Sequence, residues 1–231
     1  MEEDEYEEQY ENGEVMENIK ELGTPNIITE PKDIQFISII GEVEGHVSAP
    51  PPRKATKYEH ILPLLIAAEQ DDSIKGLFII LNTLGGDVEA GLALSEMING
   101  LSKPSVSLVL GGGHSIGVPL ATASNYSFIA PTATMTIHPI RMTGLVIGVP
   151  QTFRYFEKMQ QRIIKFILRT SDINEDKLMK LMYDTDEIAN DVGTILIGEE
   201  AVELGLIDQV GGFSDALKKL KSMTKKTSIP Q

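Results

Sequence analysis

Two successive segments of this sequence share one layout: a buried strand, a glycine-rich turn and then a helix. The apolar strands are predicted over 76–81 and 105–110, and the helices over 88–101 and 115–124. Glycines mark both turns: Gly85 and Gly86 in the first, and the first three residues of the second, which spans 111–114. Because parallel strands need a crossover connection that is usually a helix, the repetition predicts an α/β fold whose strands are covered on both faces.

More elements are predicted on both sides of these units. The predicted strands are 34–40, 126–129 and 134–137, and the predicted helices are 58–68 and 150–168. Gly41 is expected to close the first strand. The last helix is long and amphipathic, with more apolar side chains than one groove needs. The additional apolar side chains could serve either ordinary core packing or an oligomer interface, and both interpretations stay open.

Charge is unevenly distributed along the chain. The net charge is −14, and residues 1–23 hold ten acidic side chains against a single lysine. Such a segment repels itself and has little apolar surface to bury. We expect residues 1–32 to form an acidic, disordered extension, residues 33–222 one domain, and residues 223–231 a frayed basic tail.

The composition excludes several classes of protein. An acidic chain lacks the basic surface with which nucleic-acid-binding proteins meet phosphates. No apolar run approaches the roughly 20 residues of a transmembrane helix. The N-terminus lacks the basic-then-apolar layout of a secretory signal, and there is no cysteine for disulfide or thiolate chemistry. We therefore expect a cytoplasmic protein, with no metal or cofactor called for.

One motif points to nucleophilic catalysis. Residues 113–117 read Gly-His-Ser-Ile-Gly and match G-x-S-x-G, in which flanking glycines let a strained turn expose the serine hydroxyl. A glycine-rich turn before a helix also allows tight packing. The motif alone therefore leaves both a nucleophile and a structural turn open at Ser115.

The order of histidines and acidic residues along the chain limits which catalytic triad is possible. Only His138 follows Ser115, and no aspartate or glutamate lies between them, so the Ser, Asp, His order of an α/β-hydrolase is excluded. A Ser, His, Asp order remains chemically acceptable, because a triad is defined by roles and geometry. The candidate acids after His138 are Asp172, Asp176, Asp184, Asp186, Asp191, Asp208 and Asp215.

Five ordered motifs resemble those of the ClpP family of serine peptidases. They are Ile-Ile-Gly-Glu-Val-Glu-Gly-His at 39–46, Leu-Asn-Thr-Leu-Gly-Gly at 81–86, the turn at 111–117, Met-Thr-Ile-His-Pro at 135–139 and Glu-Ala-Val-Glu-Leu-Gly-Leu-Ile-Asp at 200–208. The resemblance extends from residue 34 to about residue 215 and implies a ClpP/crotonase-like spiral of β-β-α units with a long protruding helix. Within the family, the chain is most similar to the translocation-enhancing branch, whose members have been linked to protein export.

The resemblance implies a role for each catalytic residue. Ser115 is the nucleophile, His138 the general base, and the backbone N–H groups of Gly86 and Ile116 the oxyanion hole. Asp191 is nearest by pattern to the third triad residue. The segment after it is two residues longer than the family pattern, so Asp186 and a helix-capping role for Asp191 stay open.

The resemblance also implies how substrate and partners bind. Gly85, His114, Leu145 and Val146 are candidates for substrate binding, the last two within a segment that would pair with an extended peptide. His114 stands where the family usually has a small residue. The substrate would be a peptide or an unfolded protein, and the subunits would form a homo-oligomeric ring. Because the chain has no P-loop, an ATP-dependent unfoldase or the secretion machinery would be a separate partner.

Three alternatives remain at this point. A crotonase-type acyl-CoA hydratase would use the glycine N–H groups without Ser115 or His138. A serine-lysine peptidase similar to the signal peptide peptidase family would use Lys158 or Lys165 as base. A non-catalytic oligomeric factor would keep the fold and act in protein translocation.

Overall fold

A computed structural model describes residues 33–47, 49–50, 52–141, 148–185 and 192–227. Described residues from Ile34 onward belong to one compact unit. The strands are β1 (Ile34–Glu44), β2 (Ala55–Lys57), β3 (Gly76–Gly86), β4 (Ser105–Gly113), β5 (Tyr126–Ile129), β6 (Thr134–Ile137), β7 (Thr194–Ile197) and β8 (Gln209–Val210). The helices are α1 (Tyr58–Gln70), α2 (Val88–Asn99), α3 (Gly117–Thr122), α4 (Val149–Thr170), α5 (Glu175–Met182), α6 (Glu199–Glu203) and α7 (Phe213–Thr227).

The strands form a parallel sheet with a small side sheet. The main sheet has the order β2-β1-β3-β4-β5-β8, and all its neighbouring strands run parallel. The strand β6 pairs in parallel with the end of β4, where Gly112 faces Thr134, and in antiparallel with β7. The α/β prediction is confirmed, and the arrangement agrees with the ClpP-like fold that the resemblance implies.

Two apolar layers cover the main sheet. On β3, Leu77 and Ile79 belong to the larger layer with side chains of α1 and α2, whereas Phe78 belongs to the smaller layer with α7. All three side chains have no exposed surface. Burial of such a side chain stabilises a fold by about 1.5–3 kcal/mol. The prediction that this run is covered on both faces is confirmed.

The three strands that precede glycine turns are longer than predicted. β1 continues past Gly41, which has a φ of 82° at a bulge, and ends at Glu44. β4 includes Gly112 and Gly113, because they pair with Thr134 of β6 and Thr83 of β3. The turn predicted at 111–114 is therefore wrong for its first three residues. The helix predicted at 115–124 is shorter, and spans Gly117–Thr122.

The C-terminal helix differs from the expected tail. α7 extends to Thr227, so residues 223–227 are helical instead of frayed. Met223 packs against the smaller apolar layer, and Thr224 is buried. The apolar residues of α7 recur at helical spacing, which keeps this face on the sheet. The long helix predicted at 150–168 is confirmed as α4, and no helix in the described ranges is both long and apolar enough to cross a bilayer.

Candidate active site

Ser115 occupies a strained turn between β4 and α3. Its φ is 57°, and it is the sole non-glycine residue with positive φ in the described part of the chain. A serine in this left-handed region costs on the order of 1–3 kcal/mol, so the surrounding structure must hold it. Its N–H donates to Thr136 O over 2.8 Å, and its carbonyl accepts from Val118 N at 3.0 Å. The side chain stays partly exposed.

Gly85 lies directly beside this serine. A Cβ at Gly85 would stand 2.7 Å from Ser115 Cβ and 3.3 Å from its Oγ. The φ of Gly85 is 92°, and its N–H donates to Thr83 Oγ1 over 3.1 Å. Only glycine leaves this space open beside the hydroxyl.

The two expected oxyanion donors lie at element ends close to the serine. Gly86 ends β3 with a φ of 150°, and a Cβ there would stand 2.2 Å from Val43 O. Close packing on β1 is thus a sufficient reason for a glycine at this position. Ile116 precedes α3, its side chain packs on Gly91 of α2, and its N–H has no acceptor among the described residues.

His138 follows β6 and carries its ring proton on Nδ1. That atom lies 2.6 Å from Pro139 O, and because a carbonyl oxygen only accepts, Nδ1 must donate. Nε2 of the neutral ring then has the lone pair that a base needs. Thr136, which accepts the Ser115 N–H, lies within β6, two residues before His138. The structure thus brings the serine turn to the strand that leads into His138.

Four of the seven candidate acids after His138 bear on the choice of the third triad residue. Asp186 and Asp191 lie outside the described residues, as do Leu145 and Val146. Gly193, which comes two residues after Asp191, lies against His138: a Cβ at Gly193 would stand 2.8 Å from His138 Cβ. Two other acids have structural partners: Asp208 accepts from Ser127 N and Oγ, and Asp215 from Gly212 N.

His114 has partners that sequence analysis missed. Its Nδ1 is 2.7 Å from Thr136 Oγ1, and its Nε2 is 3.5 Å from Thr134 Oγ1. Burial lowers the pKa of this imidazole, and the positive charge of protonated His138 lowers it further. Alternation along β6 is the available sequence signal, since residues 134 and 136 share a face, but nothing local shows that His114 meets them.

The lowered pKa of His114 predicts a pH-dependent stability. Between pH 6.5, the ordinary value, and the lower pKa of the folded state, the unfolded chain binds more protons at His114. The free energy of unfolding therefore falls as the pH drops through this window. Urea titrations across the window should show a shallower fall for His114→Asn than for the wild type. Equal slopes would contradict a lowered pKa.

Gly85→Ala is expected to reduce the reactivity of Ser115 without unfolding the protein. The added Cβ meets the serine side chain. The positive φ at residue 85 also costs an alanine about 1–3 kcal/mol. A displaced nucleophile loses about 10²-fold in rate. Labelling of the serine measures this loss. Gly212→Ala is the matched control, because a Cβ there meets nothing within 4 Å. Equal labelling of both variants would count against this geometry.

Lys158 and Lys165, the alternative bases, lie exposed on α4. Lys165 lines a groove between α4 and α2, where Arg162 pairs with Glu89 and Arg169 with Glu96. Lys158 lines a second surface cavity along α4. A lysine that acts as base needs desolvation. The position of these two side chains therefore disfavours the serine-lysine alternative.

Comparisons with known proteins agree with this architecture. The family model described as Clp protease matches residues 32–213. The translocation-enhancing protein TepA of Halalkalibacterium halodurans is 56% identical over 94% of this chain and 85% of its own length. The ATP-dependent Clp protease proteolytic subunit of Leuconostoc citreum is 27% identical over 76% of this chain and 82% of its own length. A match of this extent identifies the chain as a member of the Clp protease family.

Proposed function

We propose that this protein is a serine endopeptidase that cleaves peptide bonds through an acyl-enzyme. The observation that carries the proposal is the Ser115 turn: a strained, partly exposed serine, with Gly85 beside it and a hydrogen bond to the strand that leads into His138. A structural turn has no need of an exposed hydroxyl at a position that costs backbone strain. Family membership supports the same chemistry.

The proposed reaction proceeds in two steps. Ser115 Oγ attacks the peptide carbonyl while His138 Nε2 accepts its proton, and His138 then returns the proton to the leaving amine. Water hydrolyses the resulting ester with the same base. The N–H groups of Gly86 and Ile116 stabilise the negative oxygen, and the Ile116 N–H has no competing acceptor in the described ranges. Each such donor contributes about 10²- to 10³-fold to the rate.

Asp191 is the acid that we propose behind His138. Its role would be to stabilise the imidazolium that forms and to share the Nδ1–H, which also donates to Pro139 O. Support comes from Gly193, two residues later in the chain, which lies against His138. The structural partners of Asp208 and Asp215 make those two acids weaker candidates. Asp186 remains the alternative.

The proposed substrate is an extended segment of peptide or unfolded protein. Strand addition at Leu145 and Val146 would bind its main chain, which gives affinity with little choice of sequence. Gly85 would let that main chain approach Ser115, because no side chain intervenes. We further propose a homo-oligomeric ring in the cytoplasm, working with an ATP-dependent unfoldase or the secretion machinery. The name of the TepA relative supports a role in protein export.

A fluorophosphonate probe tests the proposal. The Ser115 oxygen would displace fluoride from phosphorus, and mass spectrometry of the tryptic peptides would locate the adduct. Labelling at Ser115 in native protein, and none after heat denaturation, is the expected result. If native protein takes no label in any oligomeric state, the peptidase proposal fails and the non-catalytic translocation factor becomes the better candidate.

A further inference from the structure

The imidazole of His114 lies in a recess made by one glycine and two threonines. A Cβ at Gly112 would stand 2.7 Å from His114 Nε2, so the ring fills the space beside this glycine. The 2.7 Å contact of Nδ1 with Thr136 Oγ1 is a good hydrogen bond, whereas the 3.5 Å contact of Nε2 with Thr134 lies at the outer limit. Thr136 is therefore the main partner of the ring.

Thr136 contacts two consecutive residues of the nucleophile turn. Its carbonyl accepts the Ser115 N–H, and its hydroxyl meets the His114 ring. Main-chain bonds attach the turn to β3, where the His114 N–H donates to Thr83 O over 3.2 Å, and to β6 at the single contact of Ser115 N–H with Thr136 O. The side-chain bond adds a second point of attachment, where positive φ requires support from the surroundings.

The same strand leads into the proposed base. Side chains alternate along β6, so Thr134 and Thr136 share a face, and His138, the residue after the strand, continues their row. The positive charge of protonated His138 is the second cause of the lowered pKa of His114, in agreement with this placement. His114, Thr136 and His138 thus form one connected group.

We infer that His114 is a positioning residue whose hydrogen bond to Thr136 holds the Ser115 turn in register with the strand that leads into His138. The inference rests on the proposed peptidase activity. His114 contacts neither the substrate nor the reacting atoms in this role, and acts through the backbone of the turn. A displacement of about 1 Å between nucleophile and base costs about 10²-fold in rate, so one hydrogen bond here has a large effect.

A double-mutant cycle on the rate of fluorophosphonate labelling tests the inference. His114→Leu removes the ring nitrogens, and Thr136→Val removes the hydroxyl but keeps the β-branched shape and the carbonyl. Each single variant should lower kinact by about 10- to 100-fold with KI unchanged, and the double variant should be no slower than the slower single. His114→Asn, whose amide occupies the place of Nδ1, should recover kinact to within about threefold of the wild type.

Thr134→Val is the matched control, because its hydroxyl makes only the 3.5 Å contact. It should label at the wild-type rate. Wild-type labelling of His114→Leu, or a double variant whose loss is the product of the single losses, would overturn the positioning role and leave the peptidase intact. A wild type without label would overturn both. If His114→Leu does not fold, equal kinact for Thr136→Val and Thr134→Val would overturn the inference.

Discussion

Ser115→Ala is expected to lower peptide hydrolysis by on the order of 10⁶-fold, because no other group supplies the oxygen that forms the acyl-enzyme. The backbone should tolerate the change. Alanine and serine have the same Cβ and meet the same strain at a φ of 57°. The hydrogen bond to Thr136 comes from the backbone N–H, so it survives the substitution. This variant should therefore fold like the wild type but lose its peptide hydrolysis.

Initial rates on an unstructured peptide, with the unfolding midpoint measured beside them, test the prediction. Ser124→Ala is the matched control: it also removes one hydroxyl, from a buried Oγ that has no hydrogen-bond partner in the described part of the chain. That control should cleave at the wild-type rate. Residual cleavage by Ser115→Ala within tenfold of the wild type would mean that another nucleophile operates.

The sequence predicted the strands with local stop signals at both ends. The strands at 126–129 and 134–137 have the predicted bounds, because short runs with aromatic or β-branched residues lie between polar and turn residues. Strand ends at glycines were predicted too early. Gly41 and Gly113 stay in their strands because neighbouring strands supply backbone partners, which local sequence does not reveal. Among the described elements after residue 170, all but α7 are short, and short elements show little periodicity.

In the candidate site too, the features with a local sequence signal were predicted and those that depend on strand pairing were not. The motif around Ser115 and the order of the histidines gave its candidate residues, and the structure brings the serine turn, Gly85 and the strand before His138 together. The bond from His114 to Thr136 was not predicted. The bond exists because β6 pairs with the end of β4. This pairing brings together two residues that are 22 positions apart in the sequence. Asp191, Leu145 and Val146 stay predictions.

His138→Ala is expected to lower peptide hydrolysis about as far as Ser115→Ala, again on the order of 10⁶-fold. A serine hydroxyl does not ionise at neutral pH, so without the imidazole it remains a weak nucleophile. The hydrogen bond from Nδ1 to Pro139 O shows which ring nitrogen has the proton, and hence that Nε2 is the basic atom of the neutral ring. The variant should also label slowly with fluorophosphonate, although Ser115 is present.

The sharper test is the combination of both substitutions. Groups that act as one unit are not additive, so the double variant Ser115→Ala, His138→Ala should be no slower than either single variant. His46→Ala is the control, because His46 is exposed, its ring packs edge-on against Tyr58, and no proposed step uses it. If His138→Ala labels as fast as the wild type, His138 is not the base, whereas Ser115 keeps its role. A serine activated by some other group would then have to be sought among the residues packed around the turn.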